Sequence, residues 1–225
     1  MSEAMERALV VGASGGIGSA VAEALEARGV EVARLSRRGD GLDVTDEASV
    51  EAVLGGLEGP FDLAFVATGA LVVDGHEPEK TLRAITARGL ADQFAVNAVG
   101  PALVLKHALP LLPRDRRSVF AALSARVGSI GDNAIGGWHS YRAAKAALNQ
   151  ILHGAAVELR RTHKGAVVLA LHPGTVATDF TKKYAGRHRT VAPGEAAANL
   201  LRVIEGATPE MSGGFYDYAG EAIPW

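Results

Sequence analysis

Tyr141 and Lys145 are the residues whose types and spacing are most suited to chemistry. Apolar residues recur at three- and four-residue steps from Tyr141 to Leu159, which predicts a helix. At that spacing the phenol and the amine lie on one face of the helix, one turn apart. A positive charge favours a phenolate, so we expect Lys145 to lower the pKa of Tyr141 and to let it exchange protons near neutral pH. An ordinary amphipathic helix with a snorkelling lysine would contain the same two residues.

A glycine-rich turn follows the first apolar run of the chain. The run from Arg7 to Val11 predicts a strand, and Gly12, Gly16 and Gly18 then lead into a helical pattern that stops at Gly29. Glycines let the backbone approach a pyrophosphate, and the N-terminus of the helix supplies amides and a favourable dipole. The context favours a dinucleotide site, although a plain strand-to-helix turn also uses glycines.

The end of the second predicted strand, Glu31 to Leu35, is where a dinucleotide fold reads the adenosine ribose. An acid there binds the free 2′-hydroxyl of NAD, whereas an arginine binds the 2′-phosphate of NADP. Ser36 is not an acid, and Arg37 and Arg38 follow it. These residues favour the phosphate, and a solvated basic turn is the alternative.

Strands and helices alternate along the chain, which predicts an α/β domain with a doubly wound parallel sheet. Ligands of such sheets bind beyond the carboxyl ends of the strands, so the residues that follow the strands should converge on one crevice. The later strands are expected at Phe61 to Ala67, Ser118 to Leu123, Ala166 to Leu171 and Phe215 to Tyr218. The later helices are expected at Asp46 to Leu57, around Glu79 to Thr86, from Leu90 to Leu112 with an irregularity at Gly100-Pro101, and from Pro193 to Gly206.

The composition is that of one globular domain. The chain has 225 residues, of which 48% are hydrophobic, enough for a substantial core. The net charge of −2 lacks the basic excess of a nucleic-acid-binding protein. Cysteine is absent, which excludes disulfides and a thiol nucleophile. We identify no signal peptide and no apolar run of membrane-spanning length, and we therefore expect a cytoplasmic protein with no membrane partner. We assign no residue to a metal site.

Over nearly its whole length the chain resembles the short-chain dehydrogenase/reductase family, in the branch of shorter, single-domain members. The glycine spacing from Gly12 to Gly18, the asparagine Asn97, and Tyr141 with Lys145 match motifs of that family. The resemblance implies a Rossmann-like fold and an NAD(P)-dependent oxidoreductase. Two further runs look most like bacterial members related to C-factor: Gly136 to Arg142 and Phe215 to Trp225.

The resemblance also implies which residues bind the cofactor. Asp43-Val44 matches the pair that contacts adenine, and Pro173-Gly174 with Thr178 looks like the segment that holds the nicotinamide carboxamide. NADP(H) is the expected cofactor, with NAD(H) also allowed. The full cofactor set is Gly12, Ser14, Gly16, Ile17, Gly18, Ser36, Arg37, Asp43, Val44, Ala67, Gly69, Tyr141, Lys145, Pro173, Gly174, Val176 and Thr178.

The chain departs from the family at two places. Where the family has N-A-G after a central strand, this chain has Ala67-Thr68-Gly69, and the missing asparagine is mainly structural. Matching Gly128 to the glycine of the family puts Ala125 at the usual place of the catalytic serine, with Ser124 beside it. We favour Ser124 for that role, with Ser129 or a water as the alternative.

The implied mechanism is hydride transfer between a nicotinamide and the carbonyl or alcohol carbon of a small substrate. Tyr141 would donate the proton on reduction, while Lys145 lowers its pKa and holds the nicotinamide ribose. Ser124 would hydrogen-bond the carbonyl oxygen, and Asn97 would anchor a water in the proton relay. The alternative function is a nucleotide-binding regulator with weak or no activity.

Relatives in this family pair the central helix with the helix that follows Pro193. The resemblance therefore implies at least a homodimer, or a homotetramer, with closed symmetry. We expect Trp138, His139 and the loop from Phe180 to Arg189 to shape the substrate pocket.

Overall fold

The structure, a computed structural model, describes residues 5–178, 180 and 190–225. Its strands are β1 (Arg7–Val11), β2 (Glu31–Leu35), β3 (Leu63–Val66), β4 (Ser118–Leu123), β5 (Ala166–His172) and β6 (Gly214–Asp217). They form one sheet, parallel throughout its described part, in the order β2-β1-β3-β4-β5-β6. The doubly wound parallel sheet expected from the sequence is confirmed.

Helices cover both faces of this sheet. They are α1 (Gly16–Glu26), α2 (Arg37–Asp40), α3 (Glu47–Gly55), α4 (Ala87–Phe94), α5 (Gly100–Ala108), α6 (His139–Leu159) and α7 (Pro193–Glu205). One apolar cluster lies between the sheet and α1 with α7, and a second lies between the sheet and α3, α5 and α6. Adjacent strand residues point to opposite clusters, as Val119 and Phe120 do in β4. The strands are therefore apolar at consecutive positions instead of alternating.

The chain reverses its direction of winding beside β1. After β1 it forms β2 on one side, and it then returns to form β3 on the other side. The loops that follow β1 and β3 meet at this point, because a Cβ on Gly12 would lie 3.0 Å from the carbonyl carbon of Ala67. Gly12 also has a φ of 88°, a conformation that favours glycine. A crevice for a ligand is expected where such loops diverge.

Two of the predicted helices differ in the structure. Residues 79–86 contain only a short 3₁₀ turn, Leu82–Ala84, because Glu79 instead caps the start of α6. The helix expected from Leu90 to Leu112 begins earlier, and a π-helical turn, Ala95–Val99, joins α4 to α5. In that turn the amide of Gly100 donates to the carbonyl of Ala95. Pro101 has no amide hydrogen to continue the α-helical pattern, which accounts for the predicted irregularity.

One helical stretch of the described residues, Ala87–Leu111, is long and apolar enough to cross a membrane by length and composition. The sequence expectation that no run reaches this length was therefore wrong. The stretch comprises α4, the π-helical turn and α5, and it packs against α6 and α3. Some of its apolar side chains, among them Val104 and Ala108, belong to the core of the fold, which gives part of its hydropathy a structural explanation.

The glycine turn after β1 provides a test of the fold. A Cβ on Gly18 would lie 2.2 Å from the carbonyl oxygen of Gly12, and backbone atoms cannot give way cheaply. We expect Gly18→Ala to lower the free energy of unfolding by about 1–3 kcal/mol, measured by urea denaturation. Gly55→Ala is the matched control, because Gly55 ends α3 in open space and should lose no stability. Equal stability of the two variants would contradict the close approach at Gly18.

Candidate active site

Helix α6 carries Tyr141 and Lys145 on its buried face, as the spacing predicted. The exposed fractions are 5% for Tyr141 and 2% for Lys145. The Nζ atom of Lys145 lies 5.9 Å from the centroid of the Tyr141 ring. It also donates a hydrogen bond of 2.9 Å to the carbonyl oxygen of Leu123, at the end of β4. The amine therefore joins the helix to the end of a central strand.

The predicted shift in the pKa of Tyr141 was wrong in direction. Burial raises the pKa of the phenol above its ordinary value of about 10. Burial also lowers the pKa of Lys145, to about 7. The cause is the same in both cases, because removing either group from water disfavours its charged form. Near neutral pH the amine is charged in only part of the molecules, and the phenol keeps its proton.

Asn97, in the π-helical turn, holds the loop that follows β3. Its Nδ2 group donates to the carbonyl of Ala70 at 2.8 Å and to Oε1 of Gln93 at 2.7 Å. Its Oδ1 atom accepts from the amide of Ala70 at 3.1 Å. Both side-chain amide protons of Asn97 are thus in use. Only a lone pair of Oδ1 remains to bind the predicted water, and the anchoring of that water by Asn97 stays a prediction.

Gly69 brings this loop next to Lys145. A Cβ on Gly69 would lie 3.0 Å from Oδ1 of Asn97 and 3.4 Å from Nζ of Lys145. Gly69 has a φ of 156°, close to extended backbone, so the close approach and not the backbone conformation favours glycine here. Three predicted site residues from separate elements therefore meet at one point.

Both serines that were considered for catalysis already use their hydroxyl protons. Ser124 is 4% exposed and donates to Oδ1 of Asn149, on α6, at 2.6 Å. Ser129 donates to the carbonyl of Pro224 and accepts from the amide of Asp132 at 3.0 Å. Neither hydroxyl has a free proton for a substrate. The choice of Ser124 over Ser129 therefore stays a prediction.

The loop after β5 meets the glycine turn, as the sequence predicted. A Cβ on Gly16 would lie 2.6 Å from Cγ2 of Thr178. Gly174 has a φ of 77°, and the ring of Tyr218 would lie 3.0 Å from a Cβ placed there. Ser14, in the glycine turn, is exposed, and Val176, in the loop after β5, is buried at 2% exposure.

The loops that follow β1 and β3 carry groups suited to holding a dinucleotide. Gly12 packs against the backbone of Ala67, and Gly18 packs against the backbone of Gly12, so closely that a Cβ at either position would collide. Glycines of this kind give the tight turn that a pyrophosphate-binding loop requires. The turn leads directly into α1, whose first amides and dipole favour a negative group. Thr68, beside Ala67 at the end of β3, has a buried hydroxyl with no hydrogen-bond partner in the described part of the chain. A buried hydroxyl without a partner is costly, which suits a bound polar ligand.

The end of β2 carries Ser36 and Arg37 next to a residue that the sequence analysis missed. Ser36 caps α2 by accepting from the amide of Gly39 at 3.0 Å, and Arg37 is exposed. The amide of Ser36 donates to Oδ2 of Asp40 at 2.7 Å. The single turn of α2 thus places the carboxylate of Asp40 at the end of β2. A helix this short has no periodic pattern in the sequence by which it could be predicted.

Asp43 and Val44 lie beside this strand end. Asp43 accepts hydrogen bonds from the hydroxyl and the amide of Thr45, at 2.7 and 2.9 Å. These bonds, with a smaller contribution from Arg37, keep the pKa of Asp43 below its ordinary value. Val44 packs on the start of α5, because a Cβ on Gly100 would lie 2.8 Å from its Cγ2 atom.

Glu79 is a second residue that the sequence analysis missed. It is 9% exposed, and its carboxylate accepts from the hydroxyl of Ser140 and, at 3.1 Å, from the amide of Ser140. Its carbonyl accepts from the amide of Trp138 at 2.5 Å. Burial by itself raises the pKa of Glu79, but these hydrogen bonds outweigh it and the net shift is downward. Glu79 therefore caps α6 as a carboxylate, directly before Tyr141.

Aromatic rings flank the phenol of Tyr141. The ring of Trp138 lies 6.3 Å away, edge to face, and the ring of Phe180 lies 6.4 Å away. Trp138 has a φ of 52°, a strained conformation for a non-glycine residue, which aims its ring at the site. The rest of the loop expected to shape the pocket, residues 181–189, lies outside the described residues. In the described chain no group of three or more His, Asp or Glu residues is placed to hold a metal.

Proteins with similar sequences or folds have been characterised. A family model described as Enoyl-(Acyl carrier protein) reductase matches residues 41–211. The chain is 34% identical to 1-hydroxy-2-glutathionyl-2-methyl-3-butene dehydrogenase of Rhodococcus sp. (strain AD45), over 98% of the chain and 100% of that protein. It is 38% identical to C-signal of Myxococcus xanthus, over 60% of the chain and 78% of that protein. The NADPH-bound carbonyl reductase from chicken fatty liver has the same fold, with a TM-score of 0.83 at 22% identity, covering 100% of this chain and 96% of that one.

The buried amine of Lys145 makes stability depend on pH. In the unfolded chain this amine keeps its proton up to about pH 10.4, whereas in the folded chain it loses the proton at about pH 7. Between these values the unfolded state binds more protons, so the free energy of unfolding rises with pH. Lys145→Met removes this titration. From about pH 7.5 to about pH 9.5, the free energy of unfolding, measured by urea denaturation, should rise more in the wild type than in the variant. Equal rises would mean that the amine is solvated in the folded protein.

Proposed function

Because the chain belongs to the short-chain dehydrogenase/reductase family of oxidoreductases, we propose that it transfers a hydride between NADP(H) and a carbonyl or alcohol carbon. The observation that carries the proposal is the buried pair of Tyr141 and Lys145, which lies next to Gly69 in the loop that follows β3. The relative that covers the whole chain is a dehydrogenase, and its name describes a hydroxylated glutathione conjugate. A small carbonyl or alcohol compound is the proposed substrate class.

In this proposal the nicotinamide supplies or accepts the hydride, and the chain manages the proton. Tyr141 holds its proton firmly, because burial raises the pKa of the phenol. Tyr141 is thus protonated near neutral pH, and it is the proposed acid that protonates the substrate oxygen as negative charge develops on it. Loss of that proton leaves a phenolate, which a charged Lys145 stabilises. With a pKa of about 7, Lys145 gains that charge readily near neutral pH.

Tyr141 is also the proposed hydrogen-bond donor to the substrate oxygen. The hydroxyl protons of Ser124 and Ser129 are held by Asn149 and Pro224. Ser124 can hydrogen-bond the substrate oxygen only if its hydroxyl turns away from Asn149. Oδ1 of Asn149 would then lose that hydrogen bond. Gly69 and Asn97 keep the loop after β3 in contact with Lys145, and so preserve the position of the pair.

A second candidate is a nucleotide-binding regulator with weak or no turnover. The 38% identity to C-signal favours it, because the name of that relative describes a signal and not a reaction. Loss of reduced-nicotinamide absorbance with a panel of aldehydes, ketones and quinones separates the two candidates. Turnover of any of these compounds supports the oxidoreductase, and binding without turnover supports the regulator.

We also propose a homodimer or homotetramer in the cytoplasm. Small residues on partly exposed faces of α6, Ala143, Ala147 and Gly154, support close packing of this helix against a second copy. Sedimentation as a monomer would exclude this assembly.

Tyr141→Phe tests the proton transfer. The variant keeps the ring and loses only the transferable proton, so NADPH binding should persist while turnover falls by about 10²–10⁴-fold. Tyr216→Phe is the matched control, because it removes the same group from the apolar cluster on the other face of the sheet and should keep turnover. Near-normal turnover of Tyr141→Phe would contradict the assignment.

Arg37→Ala tests the cofactor preference. A guanidinium that binds the 2′-phosphate has no counterpart in NADH, so we expect NADPH affinity to fall by roughly tenfold and NADH affinity to change little. Fluorescence titration of both nucleotides measures the two affinities. Arg34→Ala removes the same charge from an arginine paired with Glu26, and should leave the ratio of affinities unchanged. An equal fall in the affinities for NADPH and NADH in Arg37→Ala would contradict the proposed role of Arg37 in the preference for NADPH.

A further inference from the structure

The end of β2 contains an acid, although the sequence places a serine there. Oδ2 of Asp40 accepts from the amide of Ser36 at 2.7 Å and lies 3.4 Å from its hydroxyl. Asp40 is exposed, and within the described residues its Oδ1 atom accepts no hydrogen bond. The carboxylate is therefore fixed at the strand end through one oxygen, and the other oxygen is available to a ligand.

We propose that Asp40 is a specificity-determining residue that binds the adenosine ribose and limits the preference for NADP(H). This inference rests on the proposed function, because it concerns the same cofactor. A carboxylate accepts hydrogen bonds from the two hydroxyls of an unphosphorylated ribose. The same carboxylate repels a 2′-phosphate, which carries negative charge. Asp40, in the turn after β2, would therefore bind the ribose hydroxyls and repel a 2′-phosphate, as an acidic residue at position 36 would.

The neighbouring charges agree with a site that admits both nucleotides. Arg37 and Arg38 supply two positive charges next to Ser36. Asp40 lies at the same turn, and Arg37 is close enough to Asp43 to contribute to the low pKa of that carboxyl. The strand end therefore carries the carboxylates of Asp40 and Asp43 as well as the two arginines, and Arg37 is near enough to Asp43 to be partly balanced by it. An arginine that is partly balanced by acids attracts a phosphate less strongly than an arginine alone.

A purely structural role for Asp40 makes a different prediction. If the carboxylate only closes α2, an amide oxygen at the same place would accept from Ser36 equally well, and the nucleotide affinities would not respond to charge. Asp40→Asn preserves this hydrogen bond and removes the charge. Asp40→Glu keeps the charge and serves as the comparison. Glu31→Gln removes one negative charge at the opposite end of β2, where Glu31 pairs with Arg7 at 2.9 Å, and is the matched control.

The experiment is direct titration of NADPH and NADH into each protein, followed by nucleotide fluorescence at low and at raised salt. We expect Asp40→Asn to bind NADPH roughly three- to tenfold more tightly than the wild type, with NADH unchanged or weaker. Raised salt should reduce this gain. Asp40→Glu and Glu31→Gln should keep the wild-type ratio of affinities.

The outcomes separate this inference from the function on which it rests. The deciding quantity is the affinity for NADPH divided by the affinity for NADH. If the wild type binds NADPH and Asp40→Asn leaves this ratio unchanged or lowers it, Asp40 only caps α2 and the inference is wrong. If Glu31→Gln changes the ratio as much as Asp40→Asn, the effect is general electrostatics and the inference is also wrong. If the wild type binds neither nucleotide, the proposed function fails and the inference fails with it.

Discussion

The burial of Lys145 beside Tyr141 is the constraint on which the rest of the site depends. An amine that is 2% exposed has lost nearly all its contact with water, and its described hydrogen bond is to the carbonyl of Leu123. Such a group is costly to bury, so the apolar clusters on both faces of the sheet must supply the stability that keeps it there. Burial also lowers the pKa of this amine to about 7, so its charge changes with pH near neutrality. The same burial keeps the neighbouring phenol of Tyr141 protonated.

Local spacing was enough to predict much of the fold and the centre of the site. The alternation of apolar runs with helical patterns gave the parallel sheet, and the four-residue step from Tyr141 placed Lys145 on the same buried face. Gly12 and Gly18 were identifiable because only glycine allows so close an approach of the backbone. The pKa of Tyr141 was not predictable in this way, because charge proximity is visible in a sequence and the extent of burial is not.

The residues that the sequence analysis missed act across long distances in the chain or through very short helices. Glu79 caps α6 at Ser140, sixty-one positions later, and its own segment was predicted to be helical. Asp40 reaches Ser36 through the single turn of α2, which has no apolar face to reveal it. The hydroxyls of Ser124 and Ser129 are likewise engaged by distant residues, Asn149 and Pro224, which no local pattern reveals. Sequence patterns predict which elements form, and the contacts between elements decide which polar atoms remain free.

A crystal structure of the complex with NADPH is the most direct test of the proposal that this crevice brings a nicotinamide to Tyr141. The pyrophosphate should lie on the turn from Gly12 to Gly18, and the nicotinamide carboxamide should lie against Pro173-Gly174. The nicotinamide ring should then lie beside the hydroxyl of Tyr141, with Nζ of Lys145 moved from the carbonyl of Leu123 toward the ribose. NADPH bound elsewhere, for example in the groove between α1 and α7 lined by Ser19 and Pro193, would contradict the proposed site.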